Sequence, residues 1–257
     1  MGNWGGLLHR ITEIQECDAR NDDSSTKAGN IKKHSIKDMS QKTLGLVHTS
    51  ATLVPMFAEL CSKYLPHVKT FNIVDDSLIK NTIACGELTP ATSRRVVNYA
   101  GSAQEAGADF ILFTCSSIGP AVEAAAMLTN VPVLRVDQPM ADQAVQLGKR
   151  IGVIATLPTT LEPTSDLVKR RAAAAGKEIV LVSKLCEGAF DALMSGDAAT
   201  HDKKVGDALK QLSNEVDVIV LAQASMARVV DTLSEAEKKV PILASPAIAI
   251  QHLATIL

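Results

Sequence analysis

The stretch ADFILFTCSSI (108–118) has a counterpart near 108 residues further on, VDVIVLAQASM (216–226). Flanking segments repeat at almost the same distance. TLGLVHTSATLVP (43–55) parallels RIGVIATLPTTLEP (150–163), and NVPVLRVDQP (130–139) parallels KVPILASP (239–246) with two residues fewer. So long a period is not that of a solenoid, whose repeats run to 20–50 residues. It points instead to two similar halves facing each other.

Each half alternates short apolar runs with helix-period stretches. The runs are 44–48, 68–74, 109–114 and 131–136 in the first half, and 150–156, 178–183, 216–222 and 240–244 in the second. Helical spacing covers 91–106, 118–128, 160–175, 199–214 and 224–237. Strands and helices in alternation imply parallel sheets covered by helices, an α/β fold of two pseudo-symmetric βα domains. The expected division is a polar extension 1–42, a first domain 43–146 plus 246–257, and a second domain 147–245. The apolar C-terminal helix, 246–257, is expected to pack on the first half or on a neighbouring copy, so a homo-oligomer is one option.

Composition removes several functions. With 26 Lys+Arg against 28 Asp+Glu and 3% aromatic residues, the chain offers neither the charge nor the stacking surfaces that nucleic acid requires. No apolar run reaches the roughly 18–20 residues of a membrane span, so no membrane partner is expected. Five cysteines at irregular spacing, with no CxxC pair, suit a reducing cytoplasm. The segment DARNDDSSTKAGNIKKHSIKDMS (18–40) is polar and mixed in charge, and a short helix is expected around Leu7–Ile14. MGNWGG carries Gly6 where a myristoylation site has Ser or Thr.

Ligands of parallel sheets bind at the carboxyl ends of the strands. Five loops fall there: 48–52 (HTSAT), 75–77 (DDS), 114–120 (TCSSIGP), 155–160 (ATLPTT) and 222–226 (AQASM). Four are small and hydroxyl-rich. Ser and Thr in such places cap helices, and free N–H groups at helix starts also bind carboxylate or phosphate. No P-loop or GxGxxG accompanies them, which argues against a nucleotide. Cys115 sits between an apolar strand and a helix whose first turn holds Pro120, so the local dipole is expected to favour its thiolate. Simple packing of a small apolar residue is the alternative.

LFTCSSIGPAVEA, VLAQASMA, LGLVHTS and RIGVIATLPTT together resemble the aspartate/glutamate/hydantoin racemase superfamily, over Thr43 to Leu257. The resemblance implies two domains enclosing a small carboxylate in the cleft between them, with no metal and no organic cofactor. It implies proton transfer at the carbon next to a carboxylate by a cysteine from each half. Cys115 matches the first cysteine. Ser116 and Ser117 match the substrate-holding residues beside it, with Thr49, Ser50, Thr156 and Ser225 on the related loops. Gln223 stands in the place of the second cysteine, and glutamine cannot exchange a proton near neutral pH. A racemase or isomerase of an amino-acid or hydantoin-like acid is therefore the first expectation. A single-cysteine decarboxylase of a substituted malonate is the alternative, and a non-catalytic binder of small acids the third.

Cys186 follows the run 178–183 and is a further candidate acid, against a place in the core. Cys85 is read as lying in a loop next to a helix start. Cys61 is assigned to a helix face and Cys17 to the extension. His48 ends the first strand and is weighed as structural or as reaching the site. Asp75 and Asp76 are candidates for a substrate amine or hydroxyl, or for a helix cap. No histidine has partners at metal-ligand spacing.

Overall fold

The computed structural model describes residues 41–257, so the expectations for Leu7–Ile14, for Cys17 and for the N-terminal glycines concern residues outside it. Eight strands alternate with ten helices among the described residues. In the first half β1 (Thr43–His48), α1 (Leu53–Tyr64), β2 (Lys69–Val74), α2 (Ser77–Cys85), α3 (Pro90–Glu105), β3 (Phe110–Phe113), α4 (Gly119–Ala126) and β4 (Val133–Arg135) follow in order. After the connecting helix α5 (Gln138–Leu147), the second half runs β5 (Arg150–Ala155), α6 (Pro158–Ala174), β6 (Val180–Leu185), α7 (Ala189–Met194), α8 (Ala198–Leu212), β7 (Val218–Leu221), α9 (Ala227–Thr232), β8 (Ile242–Ala244) and α10 (Ser245–Leu253). Three-residue 3₁₀ turns, Ser116–Ile118 and Ala224–Met226, precede α4 and α9.

Two parallel four-stranded sheets result, ordered β2-β1-β3-β4 and β6-β5-β7-β8. The inner strands are apolar on both faces because helices cover both sides: β3 (FILF) and β7 (VIVL) are buried throughout. Edge strand β2 instead alternates, with Phe71 and Ile73 turned to the core. Helix starts follow local chemistry. Pro90, Pro120, Pro139, Pro158 and Pro246 occupy first-turn positions, where a missing N–H costs nothing. The Thr89 hydroxyl accepts the Thr92 N–H at 3.2 Å and Asp197 accepts that of Thr200 at 3.0 Å.

The repeat holds down to single backbone bonds. Asp109 accepts the N–H of Thr43 at 2.8 Å, and Asp217 accepts that of Arg150 at 2.7 Å, each fixing the start of a central strand. Its covering helices are exchanged, however. α10 packs Ala249, Ile250 and Leu253 against Leu44 and Leu46 of the first sheet and Phe57 of α1. α5, assigned from sequence to the first half as far as residue 146, buries Met140, Ala141, Ala144 and Val145 against the second sheet. Helical spacing was expected to run from 224 to 237. It ends at Thr232, and Leu233 leaves the helix in an extended conformation.

A buried ion pair lies where the halves meet. Arg135, 1% exposed, gives Nε and Nη2 to the two oxygens of Asp137 at 2.7 and 2.8 Å, and Nη1 to Glu123 at 2.5 Å. Arg170 on α6 reaches the same Glu123 oxygen at 2.9 Å, which ties α4 to the second half. The guanidinium rests against Gly119, where a Cβ would lie 2.2 Å from Cζ. Asp137→Ala would leave that charge buried with only Glu123 for a partner. A loss of about 3–5 kcal/mol in urea unfolding is expected, and a loss under about 1 kcal/mol would contradict this role for the pair.

Candidate active site

β1 and β3 run side by side with Val47 level with Phe113, so Thr49 and Cys115 emerge together at the carboxyl edge of the first sheet. In the second sheet Ile154 is level with Leu221, and Thr156 and Gln223 emerge in the same relation. Backbone conformations match as well. Cys115 leaves its strand at φ −134°, ψ 123°, and Gln223 at φ −133°, ψ 136°, each opening a 3₁₀ turn.

Polar groups line both loop pairs. The hydroxyls of Thr49 and Ser117 and the N–H groups of Ser117 and Ile118 act on the Cys115 sulfur in favour of its charged form. Gln223 Oε1 accepts from the Thr156 N–H at 2.6 Å and from the Thr156 hydroxyl at 2.9 Å. The two loops meet across the halves, where Ser117 Oγ and Thr160 Oγ1 lie 2.8 Å apart and buried. Thr160 opens α6 four residues after Thr156, so Cys115 and Gln223 are linked through that helix start.

Cys115 is half-buried as a residue, and desolvation of its sulfur pushes the thiol above the ordinary cysteine value, with the polar groups of Thr49, Ser117 and Ile118 pulling it back only in part. The thiolate expected from a helix terminus is therefore corrected to a protonated thiol at neutral pH, because desolvation of the charged form outweighs the donors around it. Ser116 is buried beside it. Ser50 is half-buried, its hydroxyl 2.8 Å from that of Thr52 at the start of α1. Ser225 is half-buried with no side-chain hydrogen bond among the described residues. Thr159 and Thr160 were not singled out from sequence, although both stand in the loop 155–160. Thr159 Oγ1 is buried with no partner among the described residues, and the signal available was the doubled threonine behind a helix-starting proline.

Other candidates lie elsewhere. Cys186 is 5% exposed in a cluster with Ile154, Val205, Leu209, Met226 and Val229. Burial raises its thiol to about 11. The surroundings favour packing over a role as second acid, since its neighbours are apolar and no hydrogen bond reaches its sulfur among the described residues, Lys184 and Lys204 acting on it only through their charge. Cys85 is exposed at the last position of α2 rather than at a helix start, closed by Gly86 at φ 70°. Cys61 faces the core from α1, its thiol raised by burial to about 11. His48 is buried, with Nδ1 2.9 Å from Thr114 Oγ1 and Nε2 2.8 Å from Asn72 Oδ1, and burial lowers its pKa so that it stays neutral. Asp75 has one oxygen on the Ser77 N–H and hydroxyl and the other on Arg95 and the Tyr99 hydroxyl. Among the described residues no three His, Cys, Asp or Glu cluster as metal ligands, and no helix is long and apolar enough to cross a membrane.

The family model of Asp/Glu/Hydantoin racemase matches residues 44–253. The chain belongs to that family. As a member it is an enzyme of the racemase and isomerase kind, built like other members from two α/β domains. Among solved structures, aspartate racemase of Picrophilus torridus superposes with a TM-score of 0.65 at 16% identity, over 83% of this chain and 94% of its own. Glutamate racemase of Bacillus anthracis gives 0.63 at 19% identity, over 84% and 81%. A mutant arylmalonate decarboxylase gives 0.52 at 18%, over 83% and 92%. No curated protein matches the chain.

The raised thiol has a measurable consequence. Alkylation of Cys115 by iodoacetamide, followed by peptide mass spectrometry with the exposed Cys85 as internal reference, should be slower than that of Cys85 at pH 7. It should still be climbing at pH values above the ordinary cysteine range, because a raised pKa delays thiolate formation. Faster labelling of Cys115 than of Cys85 at pH 7 would contradict the desolvated thiol.

Proposed function

We propose that the chain is a cofactor-independent isomerase of a small carboxylate, in which Cys115 moves the proton at the carbon next to the carboxylate, in the cleft between the two halves. The observation that carries this reading is the placement of Cys115 at the carboxyl edge of its sheet beside Thr49, on a loop that contacts the second half through Ser117 and Thr160, with the polar groups of Thr49, Ser117 and Ile118 favouring its charged form. In its thiolate form Cys115 takes the α-proton, forming S–H as C–H breaks. The electron pair spreads into the carboxylate, whose growing charge meets N–H and hydroxyl donors fixed beforehand. The same S–H then returns the proton. With Gln223 in the second copy, removal and return both occur on the Cys115 face, which suits movement or reversal of a double bond better than racemisation.

A second reading is favoured by two observations, the glutamine at position 223 and the protonated state of Cys115. Loss of CO2 from a substituted malonate leaves an enediolate that needs one proton from one side, and a neutral thiol is the group to supply it. An arylmalonate decarboxylase shares this fold. All four cysteines among the described residues are free, which suits a cytoplasmic enzyme.

Exchange of the α-proton in heavy water, measured by NMR over a panel of small acids, is the test. Wild type should exchange at least one acid, and Cys115→Ser should slow that exchange by roughly 10²–10⁴-fold. Equal exchange by the two proteins would remove Cys115 from the chemistry. Release of CO2 from malonates in the same panel selects the second reading.

A further inference from the structure

The side chain of Gln223 has only one orientation open to it. A backbone N–H can only donate, so the atom 2.6 Å from the Thr156 N–H is the carboxamide oxygen, and the opposite end of the amide is NH₂. The Thr156 hydroxyl takes the same oxygen at 2.9 Å, which uses its second lone pair. The NH₂ group has no partner among the described residues. At the place related by the repeat to Cys115, the second half therefore presents two N–H donors and no base.

The carboxylates near the carboxyl edges of the sheets extend this pattern. Both oxygens of Asp75 are taken by Ser77, Arg95 and Tyr99. Both oxygens of Asp137 are taken by Arg135, which also binds Glu123. His48 is neutral with both ring nitrogens engaged. Asp76, paired with Lys80 at the start of α2, and Glu187 and Asp191 after β6 are exposed, and an exposed charge contributes little to holding an ion. The side chains on the loops of Cys115 and Gln223, Thr49, Ser116, Ser117, Thr156 and Ser225, offer hydroxyls and no carboxylate.

We propose that Gln223 is a specificity-determining residue that donates its NH₂ to an acceptor on the substrate, and that the substrate is an acid without an α-ammonium group. Dicarboxylic, hydroxy and unsaturated acids fit this class; free α-amino acids do not, because an ammonium would meet donors and no buried anion. The inference rests on the reading of Cys115 as the residue facing the substrate. It departs from what the family's name suggests about substrates.

Methylmalonate and aminomalonate form a suitable pair of probes, since CH₃ and NH₃⁺ are close in size. Protection of Cys115 from iodoacetamide by each acid gives its affinity without a need for turnover. Wild type should be half-protected by methylmalonate at a concentration at least about tenfold below that of aminomalonate, the discrimination expected of one mismatched charge-assisted contact. Gln223→Glu keeps the oxygen that Thr156 holds and turns the donor into an anion, so the preference should reverse. Gln223→Leu removes the donors and should abolish the preference. Equal or tighter binding of aminomalonate by wild type, a preference unchanged in Gln223→Glu, or no protection by either acid at millimolar concentration would overturn the proposal. Isotope exchange lost in Cys115→Ser alongside any of these outcomes would leave the proton chemistry standing and remove only the role of Gln223.

Discussion

Parallel pairing of the inner strands, β1 with β3 and β5 with β7, is the constraint from which the rest of the site follows. Neighbouring parallel strands end at the same edge, so the residue after one strand must lie beside the residue after the other. That alone brings Thr49 to Cys115 and Thr156 to Gln223. The 3₁₀ turns that follow leave N–H groups outside the helix ladder, and in the first half those of Ser117 and Ile118 favour the charged form of the cysteine. Helices exchanged between the sheets, with the Arg135–Asp137–Glu123–Arg170 cluster and the Ser117–Thr160 contact, hold the two edges in one unit.

Inequality between the halves is confined to side chains on a common frame. Backbone angles at positions 115 and 223 agree within a few degrees in φ, and the supporting threonines occupy equivalent places. A thiol in one copy can take and give a proton. An amide in the other can only donate hydrogen bonds once its oxygen is committed. The reaction proposed for such a pair is one-sided, with proton transfer on the cysteine face and anion stabilisation from the rest. Burial of the thiol adds to this, because it favours the protonated resting form over the charged one.

Much of the fold was legible because each inner strand is a continuous apolar run and the two halves repeat each other almost residue for residue. The positions of Cys115, Ser117, Thr156 and Gln223 just after the inner strands were legible for the same reason. Other features depend on tertiary distances that carry no local pattern. Nothing in Gln138–Leu147 says that this helix covers the far sheet, because an amphipathic face packs equally well on either. The charge of Arg135 looked like part of an ordinary strand run and is in fact buried against Gly119. Cys186 and Cys115 both follow strands in the sequence; only the surroundings separate them, apolar side chains for the first and donors for the second. The thiolate expected for Cys115 failed because sequence shows the helix start and not the depth of the sulfur.

Stereochemistry of deuterium uptake addresses the one-sided site most directly. An acid turned over in heavy water and analysed for configuration at the labelled carbon reports which face delivered the proton. With Cys115 as the sole proton donor, the label appears in one configuration only. Label distributed equally over both configurations from the first turnovers would mean a second acid on the opposite face, and would contradict the account.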